Sequence, residues 1–248
     1  MYALVKSGSA ALTRPPPTPS PNKLLAALPE PDYRRILPSL TTVPVKLKQV
    51  LHKAGGKIDT VYFPGGSVCS VTNTMSDGRM VEVATIGKEG MVGITVFLGG
   101  EVALGEAFVQ VANGEIQSMP VDAFRRELNR RGPFYDLISR YAQALHALIM
   151  QSAACFSMHS VEERCSRWLL MTQDRVGQDD FQLTHEFLGY MLGVRRPTVS
   201  LVLGTLDKAG VIRNGTKKIT VLKRKQLEDM SCECYPVVQR TFDRLLPS

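Results

Sequence analysis

The chain has 248 residues, of which 44% are hydrophobic, and a formal net charge of +7. This length allows two domains with a substantial core, and the composition excludes a fibre or a wholly disordered chain. The positive charge favours a polyanionic partner. The five scattered cysteines lack the spacing of a disulfide framework, and no apolar run approaches the ~20 residues that cross a bilayer, so we expect a cytoplasmic protein without membrane contact.

The first half of the chain begins with a proline-rich segment, which is followed by a β-rich region. Residues 1–22 hold five prolines among serines and threonines, which predicts a disordered, extended arm. Leucine spacing over residues 23–40 predicts one or two short helices. Asp77-Gly78 predicts a hairpin turn, and the surrounding glycines favour a small antiparallel sandwich or barrel. The clearest strands are residues 61–63, 68–71, 81–86 and 107–111.

A long helix should follow the β-rich region. After a short helix over residues 121–131, the pattern predicts a helix from Phe134 to about Met158 with apolar residues every three or four positions. These residues are Leu137, Tyr141, Ala144, Leu145, Leu148, Ser152 and Cys155. The stripe could pack against the chain's own β-domain, or pair with a second copy. We favour a dimer helix. A further helix over residues 161–175 should bury Trp168.

The most informative segment is residues 185–204, which predicts two short helices joined by a tight turn. Gly189 allows the helices to approach closely, and Gly193 can adopt the positive φ of a sharp turn. The second helix should begin near Pro197, since proline is tolerated in a first turn. An ordinary helical hairpin is the alternative interpretation.

A basic wing should follow the second helix. Residues 211–213 and 219–222 predict two strands around Asn214-Gly215, after a helix cap at Gly210. One acid, Asp207, lies between Gly193 and Lys225. The bases in this span are Arg195, Arg196, Lys208, Arg213, Lys217, Lys218, Lys223, Arg224 and Lys225. This concentration indicates attraction to DNA phosphates.

The order of these parts resembles the CRP/FNR superfamily of bacterial transcription regulators over about residues 40–225, most specifically in the stretch LGVRRPTV at residues 192–199. The resemblance implies an α+β fold with an antiparallel β-roll (double-stranded β-helix, jelly-roll-like) sensor at 23–132, a dimerisation helix at 133–158 and a winged helix-turn-helix domain at 159–248. It also implies a regulator that binds a palindromic promoter site in double-stranded DNA as a homodimer. RNA polymerase is a further partner that the resemblance allows.

The resemblance and the basic pattern together predict the DNA-binding residues. The expected base readers are Arg195, Arg196, Thr198 and Ser200. The expected phosphate contacts are Thr184, His185, Arg213, Lys217 and Lys218. Arg196 takes the place of the family's guanine-reading arginine, and an arginine fork can bond guanine O6 and N7 together. Pro197 stands where many relatives carry glutamate, and Leu201 replaces a polar reader, so the half-site should differ from theirs.

The sensor half departs from the family's cyclic-nucleotide binders. The residues aligned with the effector pocket are Gly93, Ile94, Thr95, Gly105 and Glu106. The arginine that pairs with the cyclic phosphate is missing, and a carboxylate at Glu106 would repel the phosphate. We therefore expect a degenerate pocket that does not bind cyclic AMP; the effector stays unknown. No cofactor is expected, because the iron-sulfur cysteine cluster is absent and lone histidines such as His52, His146 and His159 are usually structural rather than haem ligands.

Two thiols remain, in Cys232-Glu233-Cys234. They could form a strained disulfide or half of a metal site. Zinc requires four ligands, and no neighbouring histidine or cysteine pair in the sequence completes the set, so we predict no metal site and a packing role beneath Tyr235 and Phe242. The sequence shows no nucleophilic side chain placed beside a general base, so nothing in it indicates an enzyme. The alternative function is a small-molecule or redox sensor that acts mainly through protein partners.

Overall fold

The computed structural model describes residues 18–246. Its first part has helices α1 (Lys23–Ala26) and α2 (Glu30–Ile36), then strands β1 (Thr41–Val43), β2 (Val50–His52), β3 (Thr60–Pro64), β4 (Val68–Thr74), β5 (Met80–Ile86), β6 (Glu106–Val111) and β7 (Ile116–Pro120). Next come α3 (Val121–Asn129), α4 (Pro133–Met158) and α5 (Val161–Val176). The last part has β8 (Asp180–Gln182), α6 (His185–Leu192), α7 (Arg196–Lys208), β9 (Ile212–Gly215), β10 (Lys218–Val221), α8 (Arg224–Asp229) and α9 (Cys234–Leu245). None of the helices within residues 18–246 is both long and apolar enough to cross a membrane.

Two antiparallel sheets form the sensor, with strand orders β1-β7-β3 and β2-β6-β4-β5. The predicted hairpin at Asp77-Gly78 joins β4 to β5, and Gly78 has the positive φ of +82° that this tight turn uses. The four strands expected from the sequence are therefore confirmed, and the antiparallel β-roll is the sensor's architecture. β1, β2 and β7 were missed, because strands of three to five residues carry too short an alternation to stand out.

The proline-rich arm ends earlier than its composition suggests. Residues 1–17 of the predicted arm lie outside the described part of the chain. Ser20 and Asn22, which were assigned to the arm, are buried in the sensor. The Asn22 amide donates to the carbonyl oxygens of Pro64 (2.8 Å) and Gly90 (2.9 Å), and its side-chain oxygen caps α1. The boundary at residue 22 is thus wrong, because Asn22 satisfies buried backbone groups that would otherwise lack partners.

The apolar stripe of α4 lies in the chain's own core. All its members, from Leu137 to Cys155, are buried without a second copy, against β5, α3 and α9. The Tyr141 hydroxyl donates to the Met91 carbonyl oxygen at 2.9 Å. The assignment of this stripe to a dimer seam is therefore wrong, since these side chains already bury their apolar surface within one subunit. Ile149 and Met150 of α4 lie outside this stripe and are exposed.

Helix α5 connects the sensor to the C-terminal part. It begins with a capping box between Ser160 and Glu163 and ends at Gly177, whose φ is +70°. As predicted, its side chain Trp168 is buried. Arg175 pairs with Glu89 of the sensor at 2.8 Å, so α5 is fixed to the β-roll by an ion pair as well as by packing.

Candidate nucleic-acid interface

Helix α6 and the turn after it have the geometry that the two glycines predicted. Thr184 caps α6, because its hydroxyl oxygen accepts a 3.2 Å hydrogen bond from the Phe187 amide. A Cβ at Gly189 would lie 2.9 Å from the Val194 carbonyl oxygen, so only glycine allows this close approach. Gly193 has φ +65° and ends the helix. Residues 184–194 therefore form a tight corner that fixes where α7 begins.

Helix α7 presents an exposed N-terminal face. It starts at Arg196 with Pro197 in the first turn, as predicted. Its inner face is buried and consists of Val199, Val202, Leu203 and Leu206. Arg195, Arg196 and Thr198 are exposed, and Leu201 is 70% exposed. A 13-residue helix is about 20 Å long, and its dimensions suit the major groove of B-form DNA.

Two of the predicted DNA-contacting residues bind each other. His185 Nδ1 lies 2.8 Å from the Ser200 hydroxyl, and its Nε2 lies 3.1 Å from Asn214 Oδ1. The amide oxygen can only accept, so Nε2 donates to Asn214. This chain of hydrogen bonds joins α6, α7 and β9. Ser200 and His185 are therefore already partnered within the domain, which the sequence did not indicate.

The wing is a three-stranded antiparallel sheet with the order β8-β10-β9. Gly215 pairs with Lys218, so the turn consists of Thr216 and Lys217 and not of Asn214-Gly215 as predicted. Lys217 has φ +56°, a conformation that costs a non-glycine residue about 1 kcal/mol or more. The correction moves the exposed Lys217 side chain to the tip of the wing. The third strand, β8, was missed because it has only three residues.

The basic run divides into free and paired side chains. Lys218 pairs with Asp180 at 2.7 Å, Arg224 with Asp174 at 2.8 Å and Lys225 with Asp229 at 2.9 Å. Six bases have no ion pair within residues 18–246, namely Arg195, Arg196, Lys208, Arg213, Lys217 and Lys223. The C-terminal end of the run is therefore partly structural, whereas the bases around α7 and the wing tip remain available to an anion.

The N-terminus of α7 borders a cleft of about 690 Å³ that also touches the β4–β5 hairpin tip. Arg195 and Arg196 line one side of the cleft, and Asp77 lines the other. Asp77 accepts hydrogen bonds from the Arg79 amide and guanidinium, which lower the pKa of its carboxyl. The hairpin acid is thus neutralised locally by Arg79 rather than by the two arginines of α7.

Comparison with known proteins identifies this corner. Residues 163–230, which contain α6, α7 and the wing, match the family model of the Crp-like helix-turn-helix domain. This part of the chain is therefore a Crp-like helix-turn-helix domain. A search of curated proteins found no relative that matches by sequence.

Several solved structures share this fold over 77–78% of the chain. FixK2 from Bradyrhizobium japonicum superposes with a TM-score of 0.67 at 15% identity, covering 78% of this chain and 98% of that one. The c-di-GMP-responsive global regulator CLP of Xanthomonas campestris gives 0.63 at 14% identity, covering 77% and 98%. A CRP-family regulator from Thermus thermophilus gives 0.62 at 19% identity, covering 77% and 96%. At these identities the similarity establishes the fold.

The sensor cavity, which lies within the β-roll, has a volume of about 270 Å³. Gly93, Ile94, Thr95 and Gly105 of the predicted pocket line it. Glu106 does not, because side chains alternate along β6 and Ala107 takes the inward position. Glu106 instead lines a separate cavity against α6 with Phe108. The assignment of Glu106 to the effector pocket is therefore wrong, and its predicted repulsion of a phosphate does not apply.

The charge of the sensor cavity is low. Among the described residues that line it, none is a lysine or arginine, and His52 is the single histidine. Burial lowers the pKa of His52, and its Nε2 lies 2.8 Å from the Thr60 carbonyl oxygen. The cavity therefore offers no fixed positive charge to an anionic ligand.

The structure also assembles a cluster that sequence spacing missed. Cys155, His159, Cys232 and Cys234 have their ligand atoms within 4.8 Å of one another. The sequence offered no nearby histidine or second cysteine pair to complete Cys232 and Cys234, whereas the fold brings Cys155 and His159 to them from some 75 residues away along the chain. The spacing of Cys155 and His159, four residues apart at the end of a predicted helix, was the available signal.

Proposed function

We propose that this CRP/FNR-type protein is a sequence-specific DNA-binding regulator that binds a near-palindromic site as a homodimer. The observation that carries the proposal is the exposed N-terminal face of α7, where Arg195 and Arg196 stand without ion-pair partners in the described chain. A buried inner face and a charged outer face are what a groove-reading helix requires.

Base reading is assigned to the first turns of α7. The planar guanidinium of Arg196 can bond guanine O6 and N7 together, which is worth about 1 to 3 kcal/mol of discrimination. Arg195 and Thr198 share this exposed face. The exposed Leu201 suits contact with a thymine methyl group. Ser200 contributes through its bond to His185, which orients α7 against α6.

Phosphate binding is assigned to the residues around that face. Thr184 lies at the N-terminus of α6, where backbone amides and the helix dipole favour an anion. Arg213 and Lys217 extend the positive surface along the wing. Lys218 keeps a smaller role because Asp180 offsets its charge, and His185 acts mainly by holding Asn214 of the wing.

The homodimer is assigned to the outer face of α4. The apolar stripe of α4 is already buried within one subunit, but Ile149 and Met150 remain exposed, and Met150 is 60% accessible. Ala142, His146 and Ala153 fall on the same side at helical spacing. In this proposal the two-fold axis runs along this face, and the two α7 helices bind successive major grooves of half-sites about 34 Å apart.

The sensor is proposed not to bind cyclic AMP. A cyclic phosphate would enter a cavity that has no cationic lining residue among those described, and burial of an unpaired charge is costly. Isothermal titration of the protein with cyclic AMP should give no heat of binding. A micromolar dissociation constant would refute this part of the proposal.

Selection of bound fragments from a random DNA pool tests the main proposal. The expected product is an enriched inverted repeat whose half-sites are one helical turn apart. Enrichment of a single asymmetric half-site would reject the dimer, and failure to enrich any sequence would reject specific DNA binding. The second outcome would favour a sensor that acts through protein partners.

A further inference from the structure

Three cysteines and one histidine meet where α4, α5 and α9 join. Cys155 lies in the last turn of α4 and His159 directly follows that helix. Cys232 precedes α9 and Cys234 is its first residue. The three cysteine side chains are buried, and all five cysteines of the described chain are free thiols.

The distances within this cluster match tetrahedral coordination. Zinc bonds of about 2.3 Å to sulfur and 2.0 to 2.1 Å to nitrogen place two sulfurs about 3.8 Å apart and a sulfur and a nitrogen about 3.6 Å apart. Cys155 Sγ lies 3.5 Å from Cys232 Sγ, and Cys234 Sγ lies 3.6 Å from His159 Nδ1. Because all four ligand atoms lie within 4.8 Å of one another, one ion could contact all of them.

The surrounding groups orient the cluster as metal sites usually require. His159 Nε2 donates to the Glu233 carboxylate at 2.9 Å, which leaves the Nδ1 lone pair facing the cysteines. The Gln151 amide donates to Cys234 Sγ at 3.0 Å. Arg167 is 7% exposed, and its Nε has no hydrogen-bond partner in the described part of the chain. Arg167 donates to the Ser152 hydroxyl at 3.2 Å and lines the same small cavity as Cys155, so its positive charge lies beside the cluster.

We propose that Cys155, His159, Cys232 and Cys234 bind one zinc ion in a closed tetrahedral Cys₃His site. Three thiols lose their protons to solvent on binding, and neutral His159 supplies the fourth electron pair. Three thiolates and one Zn²⁺ leave a net charge of −1, which the buried Arg167 offsets. With four protein ligands and no open position, the site is structural and not catalytic.

The position of the site gives it a mechanical role. The ion would fasten the start of α9 to the end of α4, next to the Ser160 cap where α5 begins. This is the joint between the long helix and the helix-turn-helix domain. The bound metal would therefore set the angle at which that domain leaves α4. The site itself does not depend on the DNA-binding proposal.

Metal content and cobalt spectroscopy test the site directly. The full-length protein, purified with a reductant and without chelators, should contain one zinc per chain by mass spectrometry of the metal. Replacement of zinc by Co²⁺ should give the visible bands and the thiolate charge-transfer band of tetrahedral cobalt with three sulfurs.

A protein that lacks zinc and takes up Co²⁺ without these bands would overturn the proposal. An intact-mass loss of about 2 Da, from a Cys155–Cys232 disulfide, combined with no metal uptake under reducing conditions, would overturn it in favour of a redox pair.

Matched variants localise the ion. Cys232→Ser and His159→Gln should each reduce bound zinc well below one per chain, whereas Cys69→Ala and Cys165→Ala, which remove buried cysteines outside the cluster, should retain it. Glu233→Gln leaves all four ligands and should weaken zinc by about 10- to 100-fold in competition with a chelator. Circular dichroism checks that each variant is folded.

Equal zinc loss in ligand and control variants would contradict the assignment, and so would full retention in the ligand variants. A failure of DNA binding with zinc intact would affect the proposed function alone.

Discussion

The indole nitrogen of Trp168 donates a 2.7 Å hydrogen bond to the buried carboxylate of Glu82. Glu82 belongs to β5 of the sensor and Trp168 to α5, so this bond joins the two halves of the protein. The second Glu82 oxygen, Oε1, has no hydrogen-bond partner among residues 18–246. A buried carboxylate with one unsatisfied oxygen is costly to ionise.

Stability should therefore depend on pH through Glu82. Burial raises the pKa of its carboxyl above the ordinary value of 4.5. The folded protein then binds more protons than the unfolded chain, so the stability due to Glu82 is complete below pH 4.5 and is lost as pH rises through the raised pKa. Glu82→Gln, which is neutral at every pH, should remove this loss and should be more stable than the wild type at pH 8. Urea unfolding from pH 5 to 8 measures the difference, and parallel pH profiles would contradict it.

The two helical glycines near α7 should respond oppositely to alanine. Gly189→Ala places a methyl group 2.9 Å from the Val194 carbonyl oxygen and should destabilise the protein by about 1 to 3 kcal/mol. Gly204→Ala, with no atom within 4 Å of the added carbon, should stabilise it by about 0.5 to 1 kcal/mol. The free energy of unfolding in urea gives both values. Similar changes in the two variants would show that α6 does not require the close approach.

The outer face of α4 should carry the dimer contact. Met150→Glu introduces a charge into the proposed interface and should shift the protein to monomers in sedimentation velocity. Leu98→Glu, an exposed apolar residue in the sensor, is the matched control and should leave the oligomeric state unchanged. A dimer that survives Met150→Glu would exclude this face.

Lys217 at the wing tip should act on all DNA sequences alike. Lys217→Ala should weaken specific and non-specific duplexes by a similar factor and reduce the slope of log K against log salt by about 1. Lys225→Ala is a suitable control, because Lys225 is paired with Asp229. Fluorescence anisotropy at several salt concentrations provides the slopes. An unchanged slope in Lys217→Ala would remove the residue from the phosphate contacts.

Local chemistry predicted the corner between α6 and α7 well. The positive φ of Gly193, the close approach at Gly189 and the first-turn position of Pro197 each follow from one residue type and its immediate neighbours. The same reasoning placed the wing turn two residues too early, since Lys217 adopts a conformation that its residue type disfavours.

Longer-range features were not available from the sequence. The α4 stripe showed that one helix face is buried but not which surface covers it, and the cover is the chain's own core. The family resemblance assigned Glu106 to the pocket, but a one-residue shift along a strand moves a side chain to the opposite face, and Glu106 lies on that face. Cys155 and Cys232 meet across 77 residues, a contact that depends on how α9 packs against α4.

The most direct test of the account is base discrimination by Arg196. Binding of the wild type, Arg196→Ala and the remote surface control Arg126→Ala should be compared on the selected site and on a site whose guanines opposite Arg196 are replaced. The wild type and Arg126→Ala should prefer the selected site by about 5- to 150-fold, equivalent to 1 to 3 kcal/mol, and Arg196→Ala should bind both sites equally. If Arg196→Ala keeps the full preference and loses only general affinity, α7 does not read the sequence through this residue.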